Sequence, residues 1–265
     1  MIRWPRWRRS RHLVALLWLS GAINESNRDR LSRQLAAVRQ SGVKGLVLRI
    51  NSPGGTVGAS QELFESVKRL RLEHGVKVVA SLADVAASGA LYVAVAADRI
   101  VANAGVVTGS IGVLLQNTSI GELLRRLGVS PQVIKAGEYK DLLSYTRPPT
   151  EAERTLLQGV VDDTHAQFIE AVASGRNLSL EQVRQFADGR IFTGRQALAY
   201  GLVDELGGLR LAVERCREIC GLPPQPPLVL EFRERRPLWQ RLFQSSHLSE
   251  LWDEPTLPQW RLPRF

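Results

Sequence analysis

Three short strings in this 265-residue chain carry groups suited to acyl-transfer chemistry. Val85-Ala86-Ala87-Ser88-Gly89-Ala90 sets a serine between small residues and a glycine. Lys135-Ala136-Gly137-Glu138-Tyr139-Lys140-Asp141 places a lysine in a glycine-containing loop well downstream. Asn51-Ser52-Pro53-Gly54-Gly55 is a tight turn with accessible backbone amides. A hydroxyl nucleophile, an amine base and amide donors for an oxyanion are the minimum parts for exchanging an acyl group.

Each part also has an ordinary reading. A serine hydroxyl is a poor nucleophile until a base removes its proton, and Ser88, where a strand gives way to a helix, could be a plain N-cap. Lys140 must be neutral to accept that proton, although a free lysine titrates near 10.4. Desolvation lowers that value, and Tyr139 next door could help exclude water. Glu138 and Asp141 would stabilise the ammonium, so they must point elsewhere. A loop lysine is ordinarily solvated. Pro53-Gly54-Gly55 alone is only a turn, but with the Gly89 amide just after the serine it could supply a pair of oxyanion donors.

Histidine offers no competing arrangement. His12 lies in a basic N-terminal arm, His74 at a helix end, His165 within a long predicted helix and His247 in the C-terminal tail. No two histidines lie close enough in sequence to suggest a metal motif. Cys216 and Cys220 fit neither a disulfide framework nor a zinc site, and core packing is the expected role.

The elements that must position these residues follow from periodicity. Strands are expected at 13–19, 44–50, 76–82, 99–102 and 131–135, with helices carrying Leu31, Leu35 and Val38, then Leu63, Val67 and Leu70, then 91–96 and 119–127. Thr150 with Glu153 reads as a capping box opening a long helix, and Ser179 with Gln182 and Thr193 with Gln196 repeat the signal. Alternating strands and helices imply parallel βαβ units, with Ser88 at the sheet edge where ligands bind.

The composition, 44% hydrophobic and 23% charged, is that of a globular protein. Part of the net charge of +9 lies in Arg3, Arg6, Arg8, Arg9 and Arg11, interleaved with Trp4 and Trp7. Such an arm suits an anionic lipid surface or is a solvated basic tail, and no nucleic-acid-binding motif accompanies it. The apolar run 13–23 is too short to span a membrane and reads as a strand. The expected organisation is a basic arm at 1–12, a body at 13–221 and a Pro/Trp/Arg-rich tail at 222–265. All six tryptophans lie before residue 19 or after residue 238, so both ends are expected to meet something apolar.

In order and spacing, five strings resemble the signal peptide peptidase A family of serine proteases, relatives of the Clp protease proteolytic subunit. They are Leu48-Arg49-Ile50-Asn51-Ser52-Pro53-Gly54-Gly55, Ala86-Ala87-Ser88-Gly89, Thr108-Gly109-Ser110-Ile111-Gly112-Val113, Lys135 to Asp141, and Ala187-Asp188-Gly189-Arg190. The resemblance runs from about Val14 to Gly208. It implies an α/β, crotonase-like (ClpP-like) repeated ββα superhelix with a C-terminal helical arm. It makes Ser88 the nucleophile and Lys140 the general base, has Ser110 hold the lysine amine, and gives the oxyanion hole to Gly55 and Gly89.

With one copy of each motif, the chain looks like the half-length form, in which neighbouring subunits complete each other's active sites in a ring. The implied substrates are apolar peptides such as cleaved signal peptides or membrane-protein fragments, and no metal, nucleotide or organic cofactor is called for. Many relatives carry an N-terminal membrane anchor. Here only the Arg/Trp arm is offered, so the expected localisation is peripheral association with a membrane. Ala90 stands where relatives often have glycine. Two other classes use the same parts differently: a crotonase-type acyl-CoA enzyme, which holds a thioester enolate on two amides, and a non-catalytic membrane-surface scaffold.

Overall fold

The first apolar run, Val14–Ser20, is buried almost throughout and forms a strand (β1), as expected of a parallel strand covered on both faces. A connection through Ile23 leads to α1 (Glu25–Ser41), capped by the Asn24 side chain and ended by Gly42 in the left-handed conformation. The same alternation gives β2 (Gly45–Ser52), α2 (Val57–Leu72), β3 (Lys77–Ala87), α3 (Gly89–Ala94), β4 (Arg99–Ala102) and β5 (Val107–Gly109). Then come α4 (Gly121–Arg126), α5 (Glu151–Arg176), α6 (Leu180–Arg184), β6 (Ile191–Thr193), α7 (Gly194–Ala199), β7 (Glu205–Leu206), α8 (Leu209–Ile219) and β8 (Val229–Glu231). The computed structural model describes residues 13–223 and the backbone of 229–231, and both the Arg/Trp arm and nearly all of the Pro/Trp tail lie outside the described residues.

The strands form one sheet in the order β6-β5-β3-β2-β1-β8, with β4 branching from β3 and β7 pairing β4. Every pairing is parallel except β5 with β6. β3 is longer than its apolar core predicts. Its first half pairs β4, and its last three residues, Val85, Ala86 and Ala87, pair β5 instead. A shift in register against β2 occurs between Ile50 and Ser52. The Asn51 side chain bridges it, donating to Asp84 Oδ2 at 3.1 Å and accepting from the Val85 amide at 3.1 Å. Sequence reading assigned Asn51 only to a turn; in the fold it patches the bulge that aims β3 at Ser88.

One face of the sheet is covered by α8, which packs Ala212, Val213 and Cys216 against Val14, Val47, Val79 and Val101. Trp18 also packs there, so this tryptophan meets the body's own core. Cys216 and Cys220 converge over Gly45, where a Cβ would lie 2.7 Å from both sulfurs, in keeping with a packing role. Elsewhere α2, α3 and α5 join through Tyr92, whose ring centroid lies 5.0 Å from those of both Phe64 and Phe168.

All three capping boxes form as predicted. The predicted strand at 131–135 does not: these residues have no regular structure, and Val133 and Ile134 are exposed. An extended apolar run needs an edge to pair with, and none is offered here. β8 was not anticipated, since proline dominates the sequence before it. Among the described residues no helix is long and apolar enough to cross a membrane.

A close backbone contact lies at Gly55, which forms a parallel bridge with Ile23. A Cβ built there would sit 1.9 Å from the Ile23 carbonyl oxygen. We expect Gly55→Ala to destabilise the protein by about 1–3 kcal/mol, as over-packing does. Gly58→Ala, at an open position early in α2, is the control and should leave stability unchanged or raised. Denaturant midpoints of the two variants test this, and equal midpoints would contradict it.

Candidate active site

β2 delivers the chain into Asn51-Ser52-Pro53-Gly54-Gly55, and local hydrogen bonds fix the turn. The Ser52 hydroxyl accepts from the Gly54 amide at 3.2 Å. Gly21 N donates to Asn51 O, Ile23 N to Gly54 O and Thr56 N to Ile23 O, at 3.0, 2.7 and 2.9 Å. Gly54 has φ +101°, and a Cβ there would lie 2.8 Å from both Ala87 O and Gly89 N. Only glycine permits this approach, which lays the turn directly against the serine segment.

Ser88 sits at the junction of β3 and α3 with φ 53° and ψ −127°, a conformation costly for a residue with a side chain. Its amide donates to Gly109 O at 2.9 Å and its carbonyl accepts from Tyr92 N at 3.0 Å. Its hydroxyl caps nothing. The plain N-cap reading therefore fails, because an N-cap serine has extended backbone and spends its oxygen on the helix amides. Gly89 is buried against α2, where a Cβ would meet Ser60 Oγ at 2.2 Å and Gly55 N at 3.4 Å. The amides of Gly55 and Gly89 donate to no described acceptor. Two uncommitted N–H donors thus flank a serine with an uncommitted hydroxyl.

Ser110 is brought to the same edge by the pairing of Ala87 with Gly109. It too has positive φ, 52°, and its amide donates to Arg190 O at 2.7 Å. Gly189 N donates to Ile111 O at 3.1 Å, so the Asp188-Gly189-Arg190 string acts as a backing for the Ser110 turn. Arg190 and Ser60 were not singled out individually from sequence. Their roles run through a backbone carbonyl and a close packing contact, neither of which leaves a residue-type signal.

Lys140 is not joined to this cluster by any hydrogen bond or ion pair, and its amine has no partner among the described residues. It stands exposed on the turn 137–143, within a stretch that runs from residue 113 to 150 with few buried side chains. Leu114, Leu127, Val133, Ile134, Leu143 and Tyr145 of that stretch are all more than half exposed. Asp141, the expected rival for the lysine proton, is engaged elsewhere, by Lys135 at 2.5 Å and by Arg147 Nε at 3.1 Å. Arg147 also grips Glu153 through both terminal nitrogens, at 2.7 and 2.5 Å. Arg147 and the Thr150 amide together hold the Glu153 carboxyl down at about 2, and Arg147 and Lys135 hold Asp141 well below the carboxylate range.

The sequence profile of Peptidase family S49 matches residues 71–222, more than half of the chain. The chain belongs to peptidase family S49. That of Clp protease matches residues 10–108. A Synechocystis sp. relative named as a protease, slr0021, is 42% identical over 239 residues, covering 90% of this chain and 86% of the relative. A relative from Enterococcus faecium, named as signal peptide peptidase SppA, is 35% identical over 182 residues, 68% of this chain and 53% of that protein. The chain thus spans most of the first relative and about half of the second. A solved mutant of ClpP1 from Listeria monocytogenes, 16% identical, superposes with a TM-score of 0.52 over 75% of this chain and 94% of its own.

The fold is therefore ClpP-like and the S49 chain is a serine-type peptidase. Strain at Ser88 gives this S49 site a measurable signature. Ser88→Gly relieves the positive φ whereas Ser88→Ala keeps it, so the glycine variant should be the more stable of the two by about 1 kcal/mol. Thermal unfolding of the pair tests this; an alanine variant as stable as the glycine one would show that the backbone is relaxed.

Proposed function

We propose that this S49 chain is an endopeptidase working through a Ser88/Lys140 dyad on apolar peptides such as spent signal peptides or membrane-protein fragments. The observation that carries the reading is the free Ser88 hydroxyl between the uncommitted amides of Gly55 and Gly89. Ser88 Oγ attacks the scissile carbonyl carbon while the neutral Lys140 amine takes its proton. The carbonyl oxygen, now negative, accepts hydrogen bonds from Gly55 N–H and Gly89 N–H. Collapse breaks the C–N bond, the Lys140 ammonium returns the proton to the leaving amine, and an ester on Ser88 remains. Water then attacks that ester and Lys140 again takes the proton; the C–Oγ bond breaks, the ammonium returns the proton to Ser88 Oγ, and the acid product leaves. Ser110 holds the lysine amine toward Ser88.

The base comes from an adjacent copy of the chain. Lys140 has no partner among the described residues, and the stretch that bears it exposes a run of large apolar side chains. Such a surface is costly to leave in water and suits burial against a second copy. That burial would also desolvate the amine, favouring the neutral form the mechanism needs. The Arg/Trp arm is assigned to an anionic membrane surface, which would bring the peptidase to apolar substrates.

Cleavage of a fluorogenic apolar peptide across pH tests the dyad. Ser88→Ala and Lys140→Ala should assemble like wild type and lose activity by about 10³-fold or more, neither adding to the other when combined. The wild-type rate should rise with pH, as a reaction run by an amine general base requires. A Lys140→Ala enzyme that keeps its rate would overturn the assignment.

A further inference from the structure

The Lys140 turn is built around a charge network whose arrangement bears directly on the base. Lys140 and Asp141 are neighbours in sequence, yet the Asp141 carboxylate is spent entirely on other cations. Its Oδ1 accepts from Lys135 at 2.5 Å and its Oδ2 from Arg147 at 3.1 Å. Lys135 also donates to the Glu138 carbonyl at 2.6 Å, closing the turn from its entry side. From the exit side, Arg147 reaches forward to Glu153, which is buried in the first turn of α5 and also accepts from the Thr150 amide at 2.7 Å. The capping box at Thr150 and Glu153 is therefore one end of a chain of contacts that ends beside Lys140. The charged groups tied into this turn, from its own residues and from the elements packed against it, are Lys135, Glu138, Asp141, Arg147 and Glu153.

We propose that Arg147 is a positioning residue for the S49 reaction, which diverts the Asp141 carboxylate from the adjacent lysine and anchors the Lys140 turn to the start of α5. This rests on Lys140 being the base. Two cations share Asp141, but only Arg147 also connects it to a buried, capped carboxylate, and its planar fork suits that bridging as lysine would not. With Arg147 removed, the Asp141 carboxylate is freer to turn to Lys140. A carboxylate beside an ammonium favours the charged form, so the base would keep its proton to higher pH. A residue that merely stiffened the loop would lower the rate at every pH alike.

The experiment is the pH profile of kcat/KM for the full chain with a fluorogenic apolar peptide, in wild type, Arg147→Gln, Asp141→Asn and Arg147→Gln combined with Asp141→Asn. Arg147→Gln should shift the limb on which activity rises with pH upward by about one unit, a roughly tenfold loss below the limb with the alkaline plateau nearly kept. The double variant should return the midpoint to that of wild type, because the competing carboxylate is gone. If Arg147→Gln fails to assemble, Arg147→Lys carries the test, since it keeps a cation there but loses the planar fork that spans Asp141 and Glu153, and the limb should still move upward. A uniform loss at all pH values, an unmoved midpoint, or a double variant that keeps the shifted midpoint would each overturn the role. Failure of the underlying reading looks different: Lys140→Ala would then retain the wild-type rate and profile.

Discussion

The site depends on a backbone approach that leaves no room for a side chain. Gly54 and Gly55 press one turn against Ile23 on one side and against Ala87, Ser88 and Gly89 on the other. That approach puts two N–H groups beside one hydroxyl, and none of the three has a partner among the described residues. Gly89 is buried and Ser88 half-buried, where polar groups normally find partners, whereas Gly55 is exposed at the mouth of the site. The strain at Ser88 is sustained by the pairing of β3 with β5 and by the packing of Gly89 on Ser60. The sheet behind it holds this one arrangement, which in the proposed reaction would be preorganised for the charge that develops on the carbonyl oxygen.

The proposed base is handled by the opposite strategy. Ser88 and Gly89 follow directly on the buried strand β3, whereas Lys140 lies on a stretch that buries little of itself. Arg147, Asp141, Lys135 and Glu153 supply local order there without a hydrophobic core. The result is a turn with defined shape and an uncommitted amine, presented among exposed leucines, valines and an isoleucine. Under the proposed sharing of sites, assembly would complete both the apolar surface and the site in one step, and a lone chain would have little power to cleave peptides indiscriminately.

Legibility in sequence followed locality. The helices and the three capping boxes were readable because their signals lie within four residues, and β1 to β4 because buried parallel strands read as continuous apolar runs. The strand predicted at 131–135 failed because an apolar run does not reveal whether an edge exists to pair with. β8 was missed among prolines, and the reach of β3 to Ala87 was missed because its last residues are small and its partner changes midway. At the site, residue types marked Ser88, Gly89 and the Asn51–Gly55 turn, the family resemblance added Ser110, and the structure brings these to one sheet edge. Asn51, Arg190 and Arg147 act through contacts set by tertiary register, which spacing along the chain does not encode. Asp141 shows the same limit: it could be marked as a threat to the base, but not assigned its actual partners.

The most direct measurement mixes two dead enzymes. Ser88→Ala chains retain Lys140, and Lys140→Ala chains retain Ser88, so subunit exchange between equal amounts creates sites with both groups only if the two come from different chains. If neighbours share each site, the mixture regains activity, reaching about a quarter of the wild-type rate for random assembly. If it stays inactive while mixed assemblies demonstrably form, Ser88 and Lys140 do not meet across a subunit boundary, and the division of labour described above is wrong.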